Sequence, residues 1–317
     1  MSELPALSPI TRFLRRFLCL LMMLSLTLLK AAAPNELLGT GEPLTTASGL
    51  GCTAYRDLPY PCTNNSLRLD VYRPASATEA PRPAVLLIHG GGWAFGDKGD
   101  AGQLRNALFA VEEGYVAVSL NYTLTLFAGG SIRGSKLKAA WPNNIFDCKS
   151  ALRWMKKNAE ALGIDPNRIA VWGGSAGGHL ALLTGLSAHS EPLNKGGGLK
   201  DQDNSVRCII DFFGAPDLRE FPVYSLLDDA DMDNKEVLSL ASPIEHLSSD
   251  SPPILIVHGS ADEQVEQSLS DAFVEELKRR GIPHEYLPLE NVGHGFGLMA
   301  GKRDLRPILQ AFLKKHL

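Results

Sequence analysis

The sequence predicts an α/β protein in which a mostly parallel central sheet of about eight strands carries helices on both faces. Two observations favour this architecture. Continuous apolar runs, such as AVLLIHG from Ala84 and ILIVHGS from Ile254, are typical of strands that are buried on both faces. These runs alternate along the chain with helix-like segments, which indicates a parallel sheet. In such sheets, reactive groups gather beyond the carboxyl ends of the strands.

The elements follow one another along the chain in a regular order. Short strands over 53–58 and 67–72 are separated by the turn PYPCTNN and are expected to form an antiparallel hairpin. A helix is predicted over 101–113, and an amphipathic helix over about 144–162. The other predicted elements are the strands YVAVSLNY, RIAVWGG, VRCIIDFFG, PPILIVHGS and HEYLPLE, the helices SAGGHLALLTGLSA and QVEQSLSDAFVEELKRRG, and a final helix over about 302–315.

Three segments do not fit the alternation of strands and helices. They cover residues 124–142, 190–205 and 219–247. Long irregular loops in compact domains are often functional, so we expect the insertions near 124–142 and 219–247 to form a cap or pocket wall. With 317 residues, 44% of them hydrophobic, the chain has a globular composition. We expect one catalytic domain over 51–317 after a lead-in over 34–50.

The N-terminus has the features of a secretory signal peptide. Arg12, Arg15 and Arg16 precede an apolar run of 13 residues over 17–29, and KAAA follows it. The run is shorter than the roughly 20 residues that a membrane-spanning helix needs. We expect residues 1–33 to be removed near Ala33, which predicts a secreted or periplasmic protein with no stable membrane insertion after processing. An uncleaved anchor and a buried helix are the alternatives.

Charge and cysteine content limit the partners. The net charge is −4 and no basic cluster stands out, so no nucleic-acid partner is expected. Cys19 would leave with the signal peptide. Cys52, Cys62, Cys148 and Cys208 then permit two disulfides in an exported chain, with three pairings open. The cysteine spacing and the scattered histidines fit no zinc module, so no metal is expected.

The stretch VWGGSAGGHLALL contains the strongest candidate for a catalytic residue. It places Ser175 between a strand and a helix in the pattern Gly173-x-Ser175-x-Gly177. A sharp strand-to-helix turn strains the serine backbone, and flanking glycines avoid the steric clash. The free N–H groups of the helix N-terminus point to the same place. We therefore expect Ser175 to be a nucleophile; the alternative is a glycine-rich turn that a serine caps.

A nucleophilic serine needs a base and an orienting acid. His294, in NVGHGFG, follows the last predicted strand and is the expected base, although a surface histidine would give the same pattern. Asp262, in HGSADEQV, follows the preceding strand and is the expected acid, although it could instead cap a helix. Asp217 in FFGAPDL is the competing acid, and Glu263 is a weaker one. With this base, kcat/KM should rise with pH as His294 loses its proton.

The run HGGGW, over 89–93, supplies a candidate oxyanion hole. It follows a predicted strand, and consecutive glycines let backbone N–H groups approach a developing negative charge. We expect the donors to be Gly91 or Gly92 together with Ala176, the residue after the nucleophile. His89 is expected to shape this loop by hydrogen bonding.

Several motifs in the chain are typical of one superfamily. They are LDVYRP, HGGGW, SLNYTL, DPNRIAVWGGSAGGHLA, FFGAPDL, DEQVEQS and GHGF, in a chain order of serine, acid and histidine. From about residue 53 onward the chain resembles the α/β-hydrolases, and more narrowly the bacterial esterases grouped with acetyl-xylan and feruloyl esterases. It departs from them in the insert over 124–141 and in Glu266, where a proline is common.

This resemblance implies hydrolysis of short-chain or aryl carboxylic esters through an acyl-enzyme, without a cofactor. The substrate would be a small-molecule or polysaccharide ester, including acetylated or feruloylated plant polysaccharide. We expect Trp93, Trp141 and His179 to line the substrate pocket. A serine peptidase of the prolyl-oligopeptidase type shares the order of the triad, but HGGGW favours the esterases. A non-catalytic binding module on the same fold is the second alternative, and the complete set of catalytic residue types counts against it.

Overall fold

The computed structural model describes residues 37–317. The predicted signal peptide over 1–33, with Cys19, lies outside the described residues and stays a prediction.

The described part of the chain forms thirteen β-strands, nine of which make one central sheet. In chain order they are β1 (Glu42–Thr45), β2 (Gly51–Pro59), β3 (Arg68–Pro74), β4 (Arg82–Ile88), β5 (Val116–Leu120), β6 (Leu126–Phe127), β7 (Lys136–Lys138), β8 (Ile164–Gly174), β9 (Cys208–Phe212), β10 (Ile254–Gly259), β11 (His284–Leu289), β12 (Met299–Ala300) and β13 (Arg303–Asp304). The sheet order is β1-β2-β3-β5-β4-β8-β9-β10-β11.

The pairing of the strands confirms a mostly parallel sheet. The six strands from β5 to β11 in the sheet order are parallel, and β1, β2 and β3 add an antiparallel edge. The predicted hairpin corresponds to β2 and β3, which pair antiparallel. The sheet has nine strands instead of about eight because β1 forms within the predicted lead-in. Its sequence EPLT is mostly exposed and lacks apolar alternation, so only its backbone pairing with β2 reveals it.

Helices cover both faces of the sheet. They are α1 (Ala101–Glu112), α2 (Asn143–Lys157), α3 (Ala159–Leu162), α4 (Ala176–Leu186), α5 (Glu191–Asn194), α6 (Lys235–Ala241), α7 (Gln267–Arg280) and α8 (Arg306–His316). Alternate residues of β4 enter two separate cores, with Leu86 on one face and Leu87 on the other. The first core contains residues of α2, α4 and α7, and the second contains residues of α1 and α8.

Two predicted helices differ from the observed ones. The helix predicted over 144–162 is interrupted at Asn158, whose side-chain Nδ2 donates to the Trp154 carbonyl at 2.8 Å. Such a local side-chain bond competes with the helical backbone pattern. The last helix begins at Arg306 instead of about residue 302, because β12 and β13 form a short hairpin immediately before it.

The predicted insertions contact each other. The first contains the hairpin of β6 and β7, and the second contains α6. Lys136 Nζ, on β7, donates to the Leu227 carbonyl and to Asp229 Oδ1, both at 2.6 Å, and lies 4.4 Å from the centre of the Tyr224 ring. These contacts join the two insertions into one wall.

The four cysteines of the described chain are all unpaired, so neither of the two disulfides that the sequence permits is formed among them. Cys52, Cys148 and Cys208 lie on three different elements, in β2, α2 and β9, and are buried there. Burial raises the pKa of Cys52 to about 11 and that of Cys208 to about 12, so these thiols stay protonated. Within residues 37–317, no helix is long and apolar enough to cross a membrane.

Candidate active site

Ser175 occupies a sharp turn between β8 and α4. Its backbone has φ 56° and ψ −125°, a left-handed conformation that glycine adopts more readily than serine. The turn is held on both sides. The Ser175 N–H donates to the Phe212 carbonyl at 2.8 Å, and the Ser175 carbonyl accepts from the His179 N–H at 3.0 Å. The surrounding structure therefore maintains a strained serine at the carboxyl end of β8.

The glycines on either side of Ser175 have a steric cause. A Cβ atom on Gly173 would lie 2.1 Å from the Gly177 carbonyl oxygen, and one on Gly177 would lie 2.2 Å from the Ile88 carbonyl oxygen. Both separations are far inside van der Waals contact. The prediction that glycine is needed at these positions to avoid backbone clashes is confirmed.

The structure brings Ser175, His294 and Asp262 into one hydrogen-bonded chain. His294 Nε2 lies 2.8 Å from Ser175 Oγ, and His294 Nδ1 lies 2.7 Å from Asp262 Oδ2. A carboxylate only accepts, so His294 donates from Nδ1. Its Nε2 is then free to accept the proton of the serine hydroxyl. The side chain of His294 is 11% exposed and that of Asp262 is fully buried.

The environment of Asp262 keeps it ionised. Burial alone would raise its pKa, but hydrogen bonds from the Val265 N–H, from His294 and from the Gln264 N–H outweigh burial and hold the pKa below its ordinary value. The two backbone N–H groups donate to Oδ1, at 2.9 Å from Gln264 and 3.0 Å from Val265. A charged carboxylate therefore faces His294 at neutral pH.

The competing acids lie elsewhere. Asp217 is bound by Arg219, whose Nε and Nη2 donate to it at 2.8 and 2.6 Å. Glu263 is exposed on the outer side of the loop. Within residues 37–317, Asp262 is the only carboxylate that is hydrogen-bonded to His294.

The HGGGW loop lies beside Ser175. Gly91 has φ 112°, and a Cβ atom there would lie 2.2 Å from the Phe95 carbonyl oxygen, so only glycine fits this turn. His89 donates from Nδ1 to the Gly90 carbonyl at 2.7 Å, in keeping with the expected role in shaping the loop. In the described part of the chain, the N–H groups of Gly91, Gly92 and Ala176 donate to no other protein group. All three residues line cavities that reach Ser175.

Two cavities meet at Ser175. The larger, of about 500 Å³, has an aromatic wall and a polar face from α1; this wall consists of Trp172, Phe212, Phe213 and Phe296, and the polar face of Gln103, Arg105 and Asn106. The smaller, of about 160 Å³, has a mixed lining; its apolar side chains are those of Trp93, Ala215, Phe221, Pro222 and Val265, and its polar ones are those of Ser225 and Gln264. The site thus has one smaller and one larger compartment beside the hydroxyl, each with polar and apolar walls.

Of the three predicted pocket residues, Trp93 lines a cavity and the other two do not. His179 is fully buried behind Trp93, where its Nδ1 accepts from the indole N–H at 3.2 Å and its Nε2 donates to the Ala241 carbonyl at 2.8 Å. Burial lowers the pKa of His179 to about 4, so it is neutral. The Trp141 side chain packs against the first core, and the backbone N–H of Trp141 donates to the Leu226 carbonyl at 3.2 Å. The expectation for His179 and Trp141 is therefore wrong.

Sequence reasoning missed the aromatic residues around the site. Phe213 contacts the His294 ring edge-on, with ring centres 4.7 Å apart, and Phe296 contacts Phe213 at 4.5 Å. Phe221 packs against Trp93 at 6.1 Å in the smaller cavity. A signal was present for two of them, because Phe213 directly follows a buried strand and Phe296 stands two residues after His294.

One family model matches more than half of the chain. A model of the BD-FAE family matches residues 69–277. Esterase LipQ of Mycobacterium tuberculosis is 31% identical over 261 residues, which cover 78% of this chain and 58% of the relative, so the chain spans less than two thirds of its length.

Two solved structures with a similar fold are described as esterases. A thermophilic esterase of Thermogutta terrifontis is 26% identical with a TM-score of 0.62, over 88% of this chain and 91% of that one, and it has also been solved with propionate bound. A truncated carbohydrate esterase from gut microbiota is 24% identical with a TM-score of 0.67, over 83% and 96% of the two chains, which is a likeness of fold.

Proposed function

The chain belongs to the BD-FAE family and has the α/β-hydrolase fold, and on that basis we propose that it is a serine carboxylic ester hydrolase. The observation that carries the proposal is the hydrogen-bonded chain from Ser175 through His294 to Asp262, at the meeting point of two cavities. The curated relatives and the solved structures described above as esterases support the same reaction class.

In the proposed mechanism, Ser175 Oγ attacks the ester carbonyl while its proton passes to His294 Nε2, 2.8 Å away. The imidazolium that forms keeps its Nδ1 hydrogen bond to the ionised Asp262. His294 then protonates the leaving alcohol, and an acyl-enzyme remains on Ser175. A water molecule, activated by the same histidine, attacks the acyl carbon and releases the acid.

The proposed oxyanion hole uses backbone donors alone. The N–H groups of Gly91, Gly92 and Ala176 have no protein acceptor in the described chain, and they adjoin Ser175. An oxygen that gains negative charge beside Ser175 would accept from them. One such donor contributes about 3 kcal/mol of transition-state stabilisation.

The smaller cavity supports a short acyl group. Trp93 and Phe221 pack against each other there and limit it to about 160 Å³. The indole of Trp93 is fixed by its bond to the buried His179, so the wall is rigid. Acetyl and propionyl groups suit this compartment, whereas a feruloyl group is too large for it. Among the esters that the family resemblance implies, the cavity therefore favours acetyl esters.

The larger cavity supports a sugar as the alcohol. Its aromatic wall offers apolar faces on which a sugar ring can stack. Gln103 and Asn106 stand three residues apart on one face of α1, and Gln103 Oε1 is buried with no partner in the described chain. A substrate hydroxyl would satisfy this acceptor. We propose acetylated polysaccharide or oligosaccharide as the substrate class.

An exported enzyme is in keeping with a polysaccharide substrate. We propose that residues 1–33 are removed on export to the periplasm or the medium. Mass spectrometry of the intact exported protein tests this, with a mature N-terminus near Pro34 expected. An exported form that still starts at Met1 would show an uncleaved anchor.

One experiment tests the activity. The full chain should hydrolyse p-nitrophenyl acetate and acetylated xylan, prefer acetyl over longer acyl chains, and react with a fluorophosphonate at Ser175. The Ser175→Ala variant should keep its circular dichroism spectrum and lose both turnover and labelling. Faster cleavage of an aminoacyl amide than of the ester would show a peptidase. A folded wild type with neither turnover nor labelling would show a binding module.

A further inference from the structure

A second buried histidine, His258, contacts the acid of the proposed triad. It is a residue of β10, four positions before Asp262, and its side chain is fully buried. Its Nε2 lies 3.3 Å from Asp262 Oδ2, the same oxygen that accepts from His294 at 2.7 Å. Two imidazoles therefore approach one carboxylate oxygen.

The partners of His258 settle where its proton lies. Nε2 is 2.8 Å from the Val265 carbonyl, which only accepts, so Nε2 carries a hydrogen. Nδ1 is 2.7 Å from Ser270 Oγ, a hydroxyl on α7 that can donate to it. Burial lowers the pKa of His258, so the ring is neutral and Nδ1 accepts from Ser270. The Nε2–H then points to the Val265 carbonyl, with Asp262 Oδ2 in contact with the ring nitrogen at 3.3 Å.

These contacts connect His258 to the loop that carries Asp262. The Val265 N–H donates to Asp262 Oδ1 at 3.0 Å, while the Val265 carbonyl accepts from His258. Asp262 is thus held at Oδ1 by the backbone of the loop and at Oδ2 by His294, and the His258 ring lies 3.3 Å from Oδ2. Without His258, the buried Val265 carbonyl loses its donor and the loop loses its tie to β10.

We propose that His258 is a positioning residue: its Nε2–H holds the Val265 carbonyl, and thereby the loop whose N–H groups fix the Asp262 carboxylate with Oδ2 facing His294. The inference rests on the proposed function, since it concerns the acid of the same triad. His258 lines neither cavity beside Ser175, so it acts on the site through Asp262 and through the backbone of Val265, which lines the smaller cavity. Its loss should lower kcat far more than it changes KM, because His258 itself does not contact bound substrate.

Three variants of His258 separate positioning from packing. His258→Phe keeps a ring and removes every polar atom. His258→Gln places an amide N–H near the position of Nε2, whereas the shorter side chain of His258→Asn places it near Nδ1. We expect kcat to fall on the order of ten- to a hundredfold in the Phe and Asn variants, with KM within about twofold of wild type. The Gln variant should stay within about threefold of wild-type kcat.

A proton resonance and a control variant complete the experiment. The downfield proton resonance of the His294 Nδ1–H reports its bond to Asp262; it should persist in the Gln variant and weaken or vanish in the Phe and Asn variants. The control is His284→Phe, which removes another histidine bonded to a carbonyl, Ile282 O at 2.8 Å, at the opposite end of β11. This control should keep wild-type kcat.

The outcomes are distinguishable. Wild-type kcat and an unchanged resonance in a folded His258→Phe variant would overturn the positioning role while leaving the esterase proposal intact. If the Phe variant fails to fold, the Gln and Asn variants decide: equal kcat in the two would also overturn it. A wild type with no turnover and no fluorophosphonate labelling would instead overturn the proposed function.

Discussion

Replacing the strained serine by glycine is expected to stabilise the protein while removing its activity. Ser175 has φ 56° and ψ −125°, a conformation in which a Cβ atom is unfavourable. Ser175→Ala removes the hydroxyl but keeps the Cβ, whereas Ser175→Gly removes both. The two variants lose the same hydrogen bond to His294, so the difference between their stabilities isolates the backbone strain.

The size of the effect follows from two opposing terms. A residue held in a sparsely populated backbone region costs about 1–3 kcal/mol. Glycine gives the unfolded chain more freedom, which offsets about 0.4–1 kcal/mol of the relief. The Gly variant should therefore be more stable than the Ala variant by about 1 kcal/mol. For a domain of this size that corresponds to a melting temperature about 2 °C higher.

Urea denaturation and calorimetry of both variants measure this difference. Ala181→Gly, in the interior of α4, is the matched control, because its backbone is helical and glycine there should destabilise by about 1 kcal/mol. A Ser175→Gly variant no more stable than Ser175→Ala would show that the backbone of Ser175 is unstrained.

Three further predictions concern the surroundings of the site. Burial raises the pKa of Asp211 to about 7, so the folded protein keeps a proton that the unfolded chain releases, and stability falls as pH rises from about 4 to 7. Asp211→Asn should remove this fall, so that its free energy of unfolding, measured by urea denaturation, increases by about 2–3 kcal/mol relative to wild type between pH 5 and 8. Parallel curves of unfolding free energy against pH for the two proteins would contradict this prediction. Phe221→Ala should open the smaller cavity and raise the ratio of kcat/KM for butyrate over acetate about tenfold with p-nitrophenyl esters, and an unchanged ratio would place the acyl group elsewhere. Gln103→Ala should lower kcat/KM about fivefold more for acetylated xylo-oligosaccharides than for p-nitrophenyl acetate, and an equal loss on both would argue against a sugar subsite.

Short-range patterns predicted the elements that position the site. The buried strands were predicted from apolar runs, and the turn at Ser175 was predicted because its glycines lie within five residues of one another, although the Ile88 carbonyl that excludes a side chain at Gly177 is distant in sequence. Features that depend on partners distant in sequence were missed. β1 forms only because β2 offers an edge, and Trp141 is placed by packing against the segment that contains Leu226. The cysteines stay apart for the same reason, since topology and not their spacing sets their distances.

The order of strands in the sheet explains why residues so far apart in sequence meet. The segments after β4, β8, β9, β10 and β11, which lie side by side in that order, supply Gly91, Ser175, Phe213, Asp262 and His294. Neighbouring strands are about 4.8 Å apart, so β8 and β11 are separated by about 14 Å. His294 therefore reaches Ser175 only because the loop after β11 runs back across the ends of β10 and β9.

The path of the loop after β11, past the end of β10 and then that of β9, accounts for the contacts of His294. Beyond β10, His294 is hydrogen-bonded to Asp262, and beyond β9 its ring packs against that of Phe213, with ring centres 4.7 Å apart. Asp262, in the loop after β10, also contacts His258 of that strand at 3.3 Å. The aromatic wall therefore does more than line the larger cavity, because Phe213 also contacts the His294 ring. The strand-end positions of Asp262 and His294 were predicted from the sequence. The contacts that Phe213 makes with His294, and His258 with Asp262, became apparent only in the structure.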